Sequence, residues 1–152
     1  MSFLPTEKQK QGLKLLGTDA TDICLYGGSR SGKTTLLMYA VIVRALKEAN
    51  SRHVVFRYTL TDVHNKIFLD TFPKTLNMIS PDLRAQCRES KDKSALFTTM
   101  PNGSEIWFAG LDTSERADKV LGWDFSTAYF NEVSQITYSS VLKAKTRLAQ
   151  KN

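Results

Sequence analysis

The residues best suited to chemistry form one glycine-rich stretch near the start of the chain, Gly27-Gly-Ser-Arg-Ser-Gly-Lys-Thr34. The stretch fits the P-loop pattern GxxxxGK[ST] at every fixed position. In such a loop the backbone N–H groups and the N-terminus of the following helix bind phosphate oxygens. Lys33 is expected to contact the β- and γ-phosphates, and the Thr34 hydroxyl is a hard oxygen ligand for Mg²⁺. The stretch therefore predicts a nucleotide site.

The kind of nucleotide follows from patterns that the sequence lacks. No Asp is followed by Gly three residues later and no NKxD occurs, so the magnesium-sensing and guanine-reading patterns of regulatory GTPases are absent. ATP with Mg²⁺ is the predicted ligand. A glycine-rich strand-to-helix turn without a ligand is the alternative, and the predicted strand and helix on either side favour the nucleotide site. The residues expected to bind the nucleotide here are Gly27, Gly28, Ser29, Arg30, Ser31, Gly32, Lys33, Thr34 and Thr35.

A second candidate element is the apolar run Ala128-Tyr-Phe-Asn-Glu132, which reads as a strand that ends in an acid. A P-loop enzyme needs such a carboxylate to activate the attacking water, so Glu132 is predicted to be the general base. Asn131 stands where an acid usually completes the Walker B pair, and its amide would hold Mg²⁺ through water. A solvated strand end is the alternative for this run. Arg57 also ends a predicted strand, where a salt bridge is expected and contact with phosphate or DNA is the alternative.

The elements that must position these residues alternate between strands and helices, which is typical of an α/β protein with a mainly parallel sheet flanked by helices. The Asn-Gly pair within Pro101–Ser104 additionally predicts a β-hairpin. In chain order the predicted elements are a helix at Glu7–Leu16, a strand at Asp22–Tyr26, a helix at Lys33–Glu48, a strand at His53–Tyr58, a helix at Thr61–Phe72 that Pro73 breaks, strands at Ser94–Met100 and Glu105–Gly110, a short helix near 113–120, a strand at Phe125–Phe130 and a helix at Tyr138–Gln150.

Composition excludes several classes of protein. The 152 residues are 41% hydrophobic and 24% charged, which is typical of one core-forming domain rather than a disordered or fibrous chain. The longest apolar run, Leu36–Val43, is far shorter than the roughly 20 residues that span a bilayer, so no membrane association is predicted. Cys24 and Cys87 are expected to be free thiols, because no metal-ligand or disulfide spacing is present. The net charge of +6 favours a polyanionic partner.

Several stretches of this sequence resemble the ATPase region of the large terminase subunits of tailed phages. The P-loop stretch Leu25–Thr35 and the stretch Ala128–Ser134 carry the resemblance most strongly. Pro5–Gln9 is similar to the adenine-recognition element of that family, and Arg116–Gly122 is similar to the segment that leads into the Walker B strand. The resemblance extends over nearly the whole chain and implies a P-loop NTPase of the additional-strand (ASCE) type, an ATPase that packages double-stranded DNA into a procapsid.

The resemblance also implies partners and roles for single residues. The expected partners are phage DNA, a small terminase subunit, a portal protein and further copies in a ring, in the host cytoplasm and not in the mature virion. Gln9 would recognise adenine, although Thr6–Gln9 also fits a capping box, and both interpretations stay open. Arg116 would be an arginine finger acting on a neighbouring subunit, and a surface arginine paired with Asp112 or Glu115 is the alternative.

Two departures from the family limit these expectations. The chain has no room for the nuclease domain that follows the ATPase, and it stops before the strand expected to insert between the P-loop strand and the Walker B strand. Residues 1–152 are therefore interpreted as a single, partial P-loop ATPase domain that is incomplete at its C-terminus. Another nucleic-acid-dependent P-loop ATPase, similar to a helicase, is one rival function. A non-catalytic remnant that binds only nucleotide or DNA is the other.

Overall fold

The computed structural model describes residues 4–20, 22–28, 32–90, 96–112, 122, 124–146 and 148. Its strands form one sheet in the order β2-β3-β4-β1-β5. β1 runs parallel to both β4 and β5, whereas β3 is antiparallel to β4 and to β2, so the sheet is mixed and its parallel part is β4-β1-β5. The strand bounds are β1 Arg52–Arg57, β2 Arg88–Glu89, β3 Leu96–Thr99, β4 Glu105–Gly110 and β5 Thr127–Phe130.

Helices flank this sheet, which confirms the expected α/β architecture. The helix bounds are α1 Glu7–Leu16, α2 Lys33–Lys47, α3 Leu60–Asp62, a π-helical segment Val63–Thr71, α4 Phe72–Ile79, α5 Pro81–Gln86, a 3-10 turn Val133–Gln135 and α6 Tyr138–Lys145. Met38, Val41, Ile42 and Ala45 of α2 are fully buried, because residues three to four apart share one helix face. That face packs in one core with strands β1 and β4. No helix of the described residues is long and apolar enough to cross a membrane.

The predicted hairpin is confirmed between β3 and β4. Its turn contains Gly103 at φ 85°, in the left-handed region that glycine adopts without strain. The Asn102 amide donates to the carbonyl oxygen of Ala45 at 2.8 Å, and the Asn102 side-chain oxygen accepts from the Ser104 N–H at 3.1 Å. The turn is therefore joined to the C-terminal end of α2.

The predicted strand Asp22–Tyr26 is not part of the described sheet. Residues 22–28 have no regular secondary structure, and Tyr26 is 94% exposed. Asp22 instead forms an ion pair of 2.9 Å with Lys145 of α6. The apolar local sequence favours a strand, but a strand also needs backbone pairing with a neighbour. Within the described residues the segment pairs with neither edge strand of the sheet, β5 or β2.

The predicted break at Pro73 is also wrong, because helical structure continues to Ile79. Phe72 donates its backbone N–H to Ile67, five residues earlier, as in a π-helix. Pro73 then lies in the first turn of α4, where its missing N–H needs no partner. The helical structure is interrupted at Ser80-Pro81, which separates α4 from α5. The short helix predicted near 113–120 lies outside the described residues, as do residues 147, 149 and 150 of the last predicted helix.

A buried polar cluster joins the starting ends of β1, β4 and β5. The two ring nitrogens of His53 lie 2.8 Å from the Ser51 Oγ and 2.6 Å from the Thr127 Oγ1. The hydroxyls of Ser51 and Ser104 both donate to the Glu48 carbonyl oxygen at 2.7 Å. This leaves the Ser51 oxygen as an acceptor, so we assign the His53 proton to Nε2 and the acceptor role toward Thr127 to Nδ1.

Burial disfavours the charged form of His53. The ring is fully buried, and this desolvation, with a smaller contribution from the Arg44 charge, lowers its pKa from 6.5 to about 4. His53 is therefore neutral near pH 7, with both ring nitrogens satisfied by hydroxyl groups.

Candidate active site

Gly32 is the residue of the P-loop that leads directly into α2. This residue is the N-cap of α2 with φ 78°, a left-handed conformation that strains any residue with a Cβ. A Cβ at this position would also lie 2.5 Å from the Gln9 Nε2. Glycine is therefore favoured by the turn into the helix, and a Cβ here would displace the end of the Gln9 side chain.

The N-terminus of α2 has backbone N–H groups that can bind an anion. It has no side-chain cap and no acidic residue in its first turn, and the helix is 15 residues long. Uncapped N–H groups at the positive end of a helix bind phosphate oxygens. Thr35 lies in the same first turn and is half-buried.

Lys33, the first residue of α2, extends its side chain along the loop. Its ammonium donates to the carbonyl oxygens of Gly27 and Gly28, both at 2.8 Å. Both partners in these contacts are backbone carbonyl groups, which phosphate oxygens can replace as charge-assisted acceptors.

One side-chain hydrogen bond joins the end of β5 to the P-loop helix. Asn131 is 5% exposed, and its Nδ2 donates to the Thr34 Oγ1 at 3.0 Å. Its Oδ1 is buried and has no hydrogen-bond partner among the described residues. A buried acceptor without a partner costs about 1–3 kcal/mol, which indicates that a further group completes this site. The hydroxyl and amide oxygens are hard donors of the kind that Mg²⁺ prefers, so the residues present fit that ion.

Glu132 follows immediately in a strained conformation. Its φ of 55° and ψ of 49° place a residue with a Cβ in the left-handed region, at a cost of about 1–3 kcal/mol. The Glu132 carbonyl accepts from the Gln135 N–H at 3.0 Å and so starts the 3-10 turn. Its side chain is exposed at the end of β5. Strain of this kind is concentrated at functional sites, which favours the catalytic interpretation over a solvated strand end.

Gln9 makes two kinds of contact. Its Oε1 accepts from the Thr6 N–H at 2.9 Å and the Thr6 Oγ1 accepts from the Gln9 N–H at 3.3 Å, so the predicted capping box is present. Its Nε2 also donates to the Gly32 carbonyl oxygen at 3.3 Å. Gln9 therefore joins α1 to the P-loop, while recognition of adenine stays a prediction. The predicted residues Ser29, Arg30, Ser31 and Arg116 lie outside the described residues.

Arg57 differs from its expected role in a strand-terminal salt bridge. No ion pair joins Arg57 to a carboxylate within the part of the chain that the structure describes, and its Nε is buried without a hydrogen-bond partner there. The sequence places Arg57 at the end of a predicted strand, as it does Asn131. It does not show which strand lies beside Arg57, and the role of the residue depends on that neighbour.

The sheet, the glycine-rich loop and the helix that begins at Lys33 define a P-loop α/β protein. The family model "Terminase large subunit, T4likevirus-type, N-terminal" matches residues 24–151, and this chain belongs to that family. Comparison with curated proteins gives no significant match.

Solved structures of the large terminase from a thermophilic bacteriophage have the same fold. One crystal form matches with a TM-score of 0.75 at 16% identity, covering 95% of this chain and 36% of that protein. The complex with ADP matches with a TM-score of 0.75 at 18% identity over the same shares. The complex with ATP-gamma-S matches with a TM-score of 0.63 at 16% identity and covers 95% of this chain and 35% of that protein. The chain thus spans about a third of the length of these relatives.

Proposed function

We propose that this chain binds ATP with Mg²⁺ at the P-loop and hydrolyses it, as the ATPase of a DNA-packaging terminase. Membership of the terminase family supports the class of protein. The structures of the thermophilic phage's large terminase with ADP and with ATP-gamma-S support a nucleotide ligand.

The observation that carries the proposal is the 3.0 Å hydrogen bond from Asn131 to Thr34. It joins two motifs that are 97 positions apart in the sequence. A P-loop helix and an acid-terminated strand end thereby meet, as phosphoryl transfer from a nucleotide to water requires. A P-loop turn that served packing alone would give no reason for the buried, unpartnered Asn131 oxygen beside it.

The chemistry follows from the side chains at this strand end. Lys33 exchanges its two carbonyl partners for phosphate oxygens and balances their charge. Glu132 accepts a proton from a water molecule, whose oxygen forms a bond to the γ-phosphorus. The bond from that phosphorus to the bridging oxygen breaks, and the products are ADP and phosphate. Thr34, and Asn131 through water, would hold Mg²⁺, which supplies neutralising charge to the phosphates when bound.

We extend this proposal to the role of the chain in packaging phage DNA. Hydrolysis would drive double-stranded DNA into a procapsid in the host cytoplasm, with a small terminase subunit, a portal protein and further copies of the chain in a ring. Family membership supports this role. An ATPase assay with and without linear double-stranded DNA tests it, because a packaging motor is expected to hydrolyse ATP faster in the presence of its DNA track.

The test of nucleotide binding is the melting temperature of the chain as a function of MgATP concentration. A ligand that binds only the folded state adds about 2.7 kcal/mol of stability at 100 times its Kd. We expect this rise in the wild type and in Lys47→Ala, and no rise in Lys33→Ala. Lys47 is a matched control because it is an exposed lysine at the other end of the same helix.

Two outcomes would contradict the proposal. A cooperatively melting wild-type chain without a nucleotide-dependent rise would mean that the motif is present without a working site. Salt-sensitive DNA binding that is unchanged by nucleotide and by Lys33→Ala would favour the non-catalytic DNA-binding alternative instead.

A further inference from the structure

Arg57 and Asn131 lie side by side at the C-terminal ends of β1 and β5, where Asn131 contacts the P-loop helix. His53 bonds to Thr127 across β1 and β5, and alternate residues of a strand share a face. The Asn131 N–H donates to the Phe56 carbonyl oxygen at 2.9 Å, which continues the parallel ladder by one step. Arg57 and Asn131 are therefore cross-strand neighbours on the face where Asn131 contacts Thr34.

This pair of residues contributes two of the buried side-chain atoms that lack a hydrogen-bond partner among the described residues. They are the Arg57 Nε, a donor on a cation, and the Asn131 Oδ1, a neutral acceptor. Neither atom bonds to the other. The carboxylate of Asp62 is near enough to feel the Arg57 charge, but its ion pair, at 3.3 Å, is with Lys66. Arg57 as a whole is half-buried, but its buried Nε gains no hydrogen bond within the described residues, which costs free energy while the site holds no ligand.

We propose that Arg57 binds an oxygen of the terminal phosphate of ATP within the same chain and so distinguishes ATP from ADP. The inference rests on the proposed nucleotide site and assigns it a residue that no motif of the sequence contains. Guanidinium groups bind phosphate oxygens with strong, charge-assisted hydrogen bonds. In this arrangement the Lys33 and Thr34 side chains bind the phosphates from the start of α2, and Arg57 binds the terminal phosphate from the end of β1.

The test measures the Kd values for MgADP and for magnesium-bound ATP-gamma-S by calorimetry. In Arg57→Gln we expect ATP-gamma-S binding to weaken by about 10- to 100-fold, the loss typical of a hydrogen bond to a charged group. ADP binding should change by less than about twofold. Arg52→Gln is the matched control, because it removes the same charge from the opposite end of β1, and neither Kd should change.

A second measurement separates this role from a structural one. Without nucleotide, Arg57→Gln should melt within about 2 °C of the wild type or above it, because no described partner is lost. Arg57→Lys should retain part of the preference for ATP-gamma-S. A large loss of melting temperature with an unchanged ratio of the two Kd values would overturn the inference and assign Arg57 to the structure.

The proposed function and the inference fail in different ways. If Arg57→Gln changes both affinities equally or changes neither, the inference is wrong and the nucleotide site stands. If the folded wild type binds neither nucleotide, both are wrong.

Discussion

The buried His53 predicts that the protein loses stability in mild acid. Its pKa is about 4 in the folded chain and about 6.5 when unfolded. Between these values the unfolded state binds a proton that the folded state does not, so stability falls as the pH is lowered. The loss begins near pH 6.5 and is complete below about pH 4.

The magnitude follows from the difference of about 2.5 pKa units. At 1.36 kcal/mol for each unit, the full loss is about 3 kcal/mol, of which about 2 kcal/mol falls between pH 7 and pH 5. Carboxylates titrate mostly below this window. The pKa of Asp62 is lowered, first by a hydrogen bond from Lys66, so its contribution to stability is lost only in stronger acid than that of His53.

The assay is urea denaturation at pH 7 and pH 5 for the wild type, His53→Gln and His64→Gln. The difference in unfolding free energy between the two pH values should be about 2 kcal/mol in the wild type and in His64→Gln. It should be close to zero in His53→Gln, whatever the absolute stability of that variant. His64 is the matched control because it is the other histidine of the chain and is only half-buried. Equal pH dependence in all three proteins would refute the reasoning.

Three further predictions concern the candidate site. Gln9→Ala should lower the free energy of unfolding by about 1 kcal/mol, measured by thermal melting, because it removes the capping box and the contact with Gly32; an unchanged melting temperature would contradict this. Glu132→Gln should slow ATP hydrolysis by about 10²- to 10⁴-fold at unchanged ATP affinity, as loss of a general base does, and retained hydrolysis would exclude Glu132 as the base. Glu132→Gly should raise the free energy of unfolding by up to about 1 kcal/mol, since glycine adopts φ 55° without the Cβ clash.

Much of the fold could be predicted from local sequence. The α2 helix, the Asn-Gly hairpin and the strand at β1 depend on residue spacing and turn chemistry within a few positions, and all three are confirmed. The segment Asp22–Tyr26 shows the limit, because an apolar run cannot reveal whether its backbone will pair with an edge of the sheet. Pro73 shows another limit, because the π-turn that accommodates it depends on packing of the whole helix.

The candidate site also contains residues whose role the sequence predicts and one, Arg57, whose role it does not. The P-loop and the Asn131–Glu132 pair are recognisable because their residue types have fixed spacing. Arg57 is not, because its meaning arises only when β1 and β5 pair in parallel and bring it beside Asn131. Long-range strand pairing of this kind leaves no signal in a single sequence.

The two ends of the strand pair β1 and β5 differ in how well their buried polar groups are hydrogen-bonded, and this difference has an energetic reason. At the starting end, His53 is buried and both of its ring nitrogens are hydrogen-bonded to hydroxyl groups. At the other end, Arg57 and Asn131 keep buried atoms without described partners, and Glu132 is strained. Each such feature costs on the order of 1–3 kcal/mol, a loss that a marginally stable domain tolerates only if the rest of the sheet is well satisfied. Because both ends belong to the same two strands, the hydrogen bonds at the first end help to hold the second in a conformation that local sequence disfavours. Substitutions that relieve strain or unpaired charge at the second end should therefore stabilise the fold while they weaken the site.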